Sequence, residues 1–308
     1  MNLRILAADW GKLPKKRAIY EALVAERCVR RVTPHDAVTD VEALLSYAAS
    51  LSEPTLVAFD APLGVPASFL AALGQASFPA WLLEARLDSC TNVNDWSCAA
   101  PFFQVPKGKG SLGTFHDAAA AQKTKLQRTI DVRTGAKSPF ITAGIPGSVG
   151  SAARDLWRGL ARARHAGLRF HLWPFEGDMG TLLARGGPVV GEMYPRALYA
   201  TALKDEAPRS RLFVAKTDAE TRRRAVHHLT ETAWIAKHRV TLENLSEALA
   251  SEDDFDAMIA AAALLRCAIE GLPFSAVEHH DPIAEGAILG TGTIDLSLRE
   301  TKFGLRHR

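Results

Sequence analysis

Two apolar runs in this chain each end on a single aspartate and then break. The first is Ile5-Leu6-Ala7-Ala8-Asp9-Trp10-Gly11; the second is Leu56-Val57-Ala58-Phe59-Asp60-Ala61-Pro62-Leu63-Gly64. Apolar runs of this length, closed by Gly or Pro, mark buried strands. An acid at such a strand end lies at the rim of an α/β sheet, where ligands of open sheets collect. If the two strands are neighbours, both carboxylates enter one crevice, and a cation between them relieves their repulsion. The pair therefore predicts a divalent-metal site. The competing reading is a local one, since an aspartate there also forms turns by bonding its own backbone.

The surrounding pattern brings the two strands together. Leu3 to Asp9 reads as a central strand, Ala18 to Ala25 as a second, and Arg27 to Thr33 alternates as a half-exposed third. Asp36 or Thr39 caps a helix to about Ser50, and Thr55 to Phe59 follows as a fourth strand. A three-strand meander, a crossover helix and a return beside the first strand satisfy the right-handed crossover rule. The stretch from Pro62 to about Gly150 is irregular, so residues 64–165 read as an insertion or cap within a single domain spanning 1–308. Ser151 to Ala166 then reads as helix, and Leu168 to Pro174 and Pro188 to Tyr194 as strands. The last third is helical: Thr217 and Glu220 have capping-box spacing ahead of a helix to His238, Leu242 to Ala250 is short, and Ser251 or Glu252 opens a long apolar helix stopped at Gly271.

At 308 residues with 47% hydrophobic and 23% charged side chains, the chain can bury its own core without staples. Cys28, Cys90, Cys98 and Cys267 show no metal-ligand spacing and read as reduced thiols of a cytoplasmic protein. No signal-peptide core and no apolar stretch of membrane-spanning length is present, which predicts no membrane partner. The net charge of +3 permits a phosphate-rich partner without requiring one.

Three further acids complete the candidate set. Glu192 interrupts the apolar strand Val189-Val190-Gly191-Glu192-Met193, where a carboxylate needs a cation, a donor or water. Asp253 and Asp256 stand three apart at the start of the long helix and share a face. Their alternatives are a helix-dipole role for the first-turn acids and an ion pair of Glu192 with Arg196 or a lysine; Glu176 is a weaker substitute for Glu192. Three or four carboxylates around paired cations are the requirement of two-metal phosphoryl transfer, which needs no histidine base.

Four segments, Ala8-Asp9-Trp10-Gly11, Phe59-Asp60-Ala61-Pro62-Leu63-Gly64, Glu192-Met193-Tyr194-Pro195 and Asp253-Asp254-Phe255-Asp256-Ala257, resemble the successive motifs of domain-of-unknown-function family 429. That family is described as predicted nucleases with a ribonuclease H-like fold. The resemblance implies a mixed five-stranded sheet flanked by helices, with acids on the first strand, the fourth strand and the final helix. The helix acids are also similar to those of Holliday-junction resolvases of that fold. Residues 64–165, following the fourth strand, have no counterpart in the minimal fold. Actin-like phosphotransferases share the sheet but use glycine-rich phosphate loops, and only Gly108/Gly110 and Gly290/Gly292 suggest any here.

The expected function is metal-dependent phosphodiester hydrolysis by a nuclease, with Mg2+ or Mn2+ on Asp9 and Asp60 and with Asp253 or Asp256 completing the site. Asp256 is the ligand chosen, and Glu192 and Asp253 join the catalytic set. The alternatives are a non-catalytic module that binds nucleic acid or protein, and a small-molecule phosphotransferase or phosphatase. The basic run Arg209, Arg211, Lys216, Arg222, Arg223, Arg224 is either a solvated helix face or a nucleic-acid groove. Gly147-Ser148-Val149-Gly150-Ser151, ahead of a helix, is either a plain cap or a phosphate cradle. Trp10 is the one tryptophan placed to meet a substrate, and Lys12 or Lys15 could approach a phosphate.

Overall fold

The strand β1 (Arg4–Trp10) runs through the interior of a mixed eight-stranded sheet. On one side it pairs antiparallel with β2 (Arg17–Leu23), which pairs antiparallel with β3 (Cys28–Arg31). After helix α1 (Val41–Ser50) the chain returns as β4 (Thr55–Phe59), parallel to β1 on its other side. The meander and crossover expected from the sequence are therefore present. The computed structural model describes residues 2–11, 14–32, 40–107, 111–207, 209–275 and 281–304. Lys12, Asp36, Thr39, Gly108 and Gly110 lie outside them. The described cap of α1 is Asp40, whose carboxylate accepts from Ala43 N–H at 2.8 Å.

Helix α2 (Gly150–His165) leads to β5 (His171–Leu172) and then β6 (Val189–Met193), which is parallel to β4. Next come α3 (Pro195–Leu203), α4 (Ala219–Glu231), β7 (Thr241–Leu242), α5 (Glu252–Glu270) and β8 (Ile288–Leu289). The sheet order is β7-β3-β2-β1-β4-β6, with β5 and β8 both paired to β6. The six strands read from the sequence are joined by two further two-residue strands, β7 and β8, giving eight where the resemblance implied five. The expected strand Leu168 to Pro174 is pared to two residues, and the helical stretch expected to reach about His238 does so as two helices, Ala219–Glu231, capped by Asp218, and Ala233–His238, broken at Thr232.

The two faces of the sheet carry different cores, and side-chain alternation decides which residue serves which. Ile5, Ala7, Leu56 and Ala58 pack with α3 and α5. Leu6, Ala8, Val57 and Phe59 pack with α1, α2 and the segment 64–149, through Phe69, Phe78, Phe102, Phe140 and Trp157. The segment therefore shares the core of the second face. The loop after β4 is fixed there as well. Trp157 Nε1 donates to Pro62 O at 2.8 Å, and Gly64 (φ 127°) lies so close to residue 285 that a Cβ would stand 2.3 Å from the Glu285 carbonyl.

Helix α5 crosses the first face. Ser251 Oγ accepts from Asp253 and Asp254 N–H, and Gly271, at φ 65°, ends the helix. Its alanine-rich body, fully buried from Phe255 to Cys267, lets the helix lie close on β1 and β2. Among the described residues no helix is long and apolar enough to cross a membrane, and all four cysteines are free thiols.

Candidate metal centre

Register brings the two strand-end aspartates side by side. Ala8 pairs with Phe59 across β1 and β4, and Asp60 N–H donates to Ala8 O at 2.9 Å. Continuing the alternation Ile5, Ala7 and Leu56, Ala58 by one step places Asp9 and Asp60 on the α5 face. From the first turns of α5, Asp256 meets them. One ligand oxygen from each of Asp9, Asp60 and Asp256 lies within 4.8 Å of the others. The Asp9 side chain is 8% exposed and Asp256 1%.

The three carboxylates differ in what holds them. Asp256 Oδ1 accepts from the Tyr199 hydroxyl, and Asp256 Oδ2 is paired with Lys216 Nζ. Asp9 and Asp60 carboxylates make no hydrogen bond or ion pair with any described residue. Burial, with Asp60 and Asp256 adding repulsion and Lys216 opposing it, raises Asp9 well above the usual carboxylate range. Burial and then Asp256 push Asp60 up to about 7. Asp256 is also raised by burial, against the pull of Lys216 and Tyr199. Lys216 loses hydration, yet Asp256, Asp9 and Asp60 together raise its affinity for its proton.

An all-oxygen donor set suits a hard cation. Oxygens opposite one another across an ion with bonds near 2.1 Å stand about 4.2 Å apart. The observed grouping fits one ion with slight side-chain rotation. A buried carboxylate left without a partner is costly, and among the described residues Asp9 has none. These residues fit a divalent ion.

The other two predicted acids are placed differently. Glu192 pairs with Phe59 in register, so its side chain leaves the sheet on the opposite face from Asp60. There it is clamped by Arg128: Nη1 to Oε2 is 2.6 Å and Nη2 to Oε1 is 2.8 Å, while Leu63 N–H donates to Oε2 at 2.7 Å. Arg128 is fully buried and also pairs with Asp131 at 2.6 Å. Glu192 is therefore the anchor of the inserted segment, and its partner is neither Arg196 nor a lysine. Asp253 stands half-buried outside the three-acid group, in the field of Lys216 and Lys16. Glu176 pairs with Arg164 at 2.8 Å.

Two adjoining clefts open at Asp60. One, about 370 Å³, is lined by Asp60, Glu192, Tyr194, Arg196 and, from the inserted segment, Lys137 and Gly147. The second, about 340 Å³, holds Asp60, Asp256, Lys216, Tyr199, Tyr194 and Phe213. Most of the basic run read as a nucleic-acid groove is used internally. Arg209 and Arg222 are buried on backbone carbonyls, Arg211 donates to Thr134 O and Lys216 holds Asp256, while Arg223 and Arg224 stand exposed on α4, Arg223 beside Glu220. Trp10 is buried edge-on against Phe59, with its indole N–H on Asp155.

Sequence reasoning missed Tyr199, Lys216 and Arg128 as members of the site or its support. Tyr199 follows the Glu-Met-Tyr-Pro motif on the next helix, and Lys216 precedes the Asp218 cap of α4; neither position carries a local signal of contact with Asp256. Comparison with known proteins adds no relative: no family model, no curated protein and no solved structure matches this chain.

Proposed function

We propose that the protein is a divalent-metal-dependent phosphoester hydrolase of ribonuclease H-like architecture, acting on phosphodiesters as a nuclease does. The observation that carries this reading is the convergence of Asp9, Asp60 and Asp256, with the buried Asp9 carboxylate lacking a partner among the described residues. The strand order, with β2 antiparallel among otherwise parallel neighbours of β1, supports the architecture. The motif resemblance to family 429 points the same way and rests on those motifs alone.

Asp9, Asp60 and Asp256 would hold Mg2+ or Mn2+. Such an ion neutralises charge on a phosphoryl oxygen and makes water a nucleophile at neutral pH. The chain supplies the rest. Tyr199 orients Asp256 through its hydroxyl, Lys216 places a positive charge at the same carboxylate, and Arg196 and Lys137 line the approach from the first cleft.

A second reading, hydrolysis of a small phosphoester, is favoured by a different observation. The carboxylates open into clefts walled partly by the inserted segment, while Arg209, Arg211 and Arg222 of the basic run are engaged by backbone carbonyls. The test is cleavage of bis-p-nitrophenyl phosphate, single- and double-stranded oligonucleotides and mononucleotides with Mn2+ or Mg2+. Asp9→Asn and chelation should each abolish turnover with the fold intact. Undiminished hydrolysis by Asp9→Asn would remove the carboxylate centre from the chemistry.

A further inference from the structure

Among the described residues the four oxygens of Asp9 and Asp60 have no hydrogen-bond or ion-pair partner, whereas both oxygens of Asp256 are engaged by Tyr199 and Lys216. The set is thus split into one open pair of acids and one acid that already holds a cation. We propose that the centre binds one divalent ion, on Asp9 and Asp60 with Asp256 at its edge, and that the Lys216 ammonium stands where a second ion would otherwise sit. This rests on the reading of the carboxylates as a metal centre and specifies its stoichiometry.

Charge supports the assignment. Three carboxylates and one ammonium carry a net charge that a single divalent ion cancels. A second ion would leave the buried cluster positive by the same amount. Glu192 does not alter that count, because it is matched by Arg128; Asp253, half-buried outside the three-acid group, adds negative field at Asp9 and Asp256 and is itself drawn by Lys216 and Lys16.

Lys216 is also held as a fixed group. Its backbone N–H donates to Val214 O at 2.8 Å, and its carbonyl accepts from Arg222 Nη1 at 2.5 Å. Arg222 is itself buried and bonded to Leu249 O at 3.1 and 2.9 Å, which ties the Lys216 loop to the segment leading into α5. The side chain is 35% exposed and lines the second cleft, so a phosphoryl group beside Asp256 would meet the ammonium directly. In a two-ion site, charge on both the attacking and the leaving oxygen is stabilised by metal. Here one of those roles falls to a side chain. Lys216 is a positioning and charge-stabilising residue for the proposed reaction.

The experiment is titration of the metal-free full-length protein with Mn2+ near neutral pH, by calorimetry and by electron paramagnetic resonance. Wild type should bind one ion with a mononuclear signal. Lys216→Met should bind two and show the spin-coupled signal of a neighbouring pair, and Lys216→Arg should return the count to one. Two coupled ions in wild type would overturn the proposal while leaving the carboxylate centre in place. One ion in both wild type and folded Lys216→Met would overturn the role of Lys216. No ion in wild type would remove the proposal and the metal-centre reading together. Should Lys216→Met fail to fold, the wild-type count and Lys216→Arg still decide between one ion and two.

Discussion

Asp60→Asn should make the metal-free protein more stable at alkaline pH and leave it little changed in mild acid. The crevice raises the Asp60 carboxyl from the ordinary 3.8 to about 7. The folded state therefore binds more protons than the unfolded state between those values, and stability falls as pH rises through that window. The penalty is absent below about pH 4 and complete above about pH 7; at about 1.4 kcal/mol per pH unit it reaches a little over 4 kcal/mol at most. Asparagine cannot ionise, and the Asp60 carboxylate has no described hydrogen-bond donor to lose. The variant should therefore gain about 2–4 kcal/mol at pH 8 in chelator, and its stability should vary less with pH. Urea denaturation at pH 4 and pH 8, with chelator and with saturating Mn2+, measures this. Mn2+ should reverse the order, because the wild type alone keeps the full ligand set. A variant less stable than wild type at pH 8 in chelator would refute the electrostatic reasoning.

The same crowding predicts that Mn2+ binding near pH 7 releases protons, since ligands raised by burial must ionise to coordinate; calorimetry in buffers of different ionisation enthalpy should detect this, and buffer-independent heats would contradict it. Arg128→Met should cost about 3–5 kcal/mol by leaving Glu192 and Asp131 buried without their cation, read from denaturant midpoints. A folded Glu192→Gln variant should bind Mn2+ within a few-fold of wild type, and loss of binding would return Glu192 to the ligand set. If the cleft takes small esters, mononucleotides should be hydrolysed with higher kcat/KM than long oligonucleotides; the opposite ranking would favour the polymer.

The features legible in the sequence are those set by local pattern. The β1 and β4 runs, the Asp60–Gly64 turn and the Ser251 start and Gly271 stop of α5 lie where apolar periodicity and capping chemistry put them. The meeting of Asp9 with Asp60 was also within reach, because a right-handed crossover leaves few other places for β4. Glu192 shows where such reasoning stops. Its strand was readable, but its face depends on the register of β6 against β4, which the helices between them determine. The basic run departs from a surface reading in part, for a related reason: Arg223 and Arg224 are exposed, but other guanidinium groups are recruited by carbonyls distant in sequence, such as Leu249 O for Arg222. Arg128 and Lys216 find Glu192 and Asp256 across 64 and 40 residues of chain, and no spacing rule reports contacts of that range.

The central claim is that Asp9, Asp60 and Asp256 share a divalent ion, and a crystal soaked in Mn2+ tests it most directly. Anomalous scattering should show a peak with oxygens of Asp9 and Asp60 at about 2.0–2.6 Å, the range of hard-cation bonds, and with Asp256 beside it. A fully occupied peak elsewhere, or none at these carboxylates under saturating Mn2+, would contradict it.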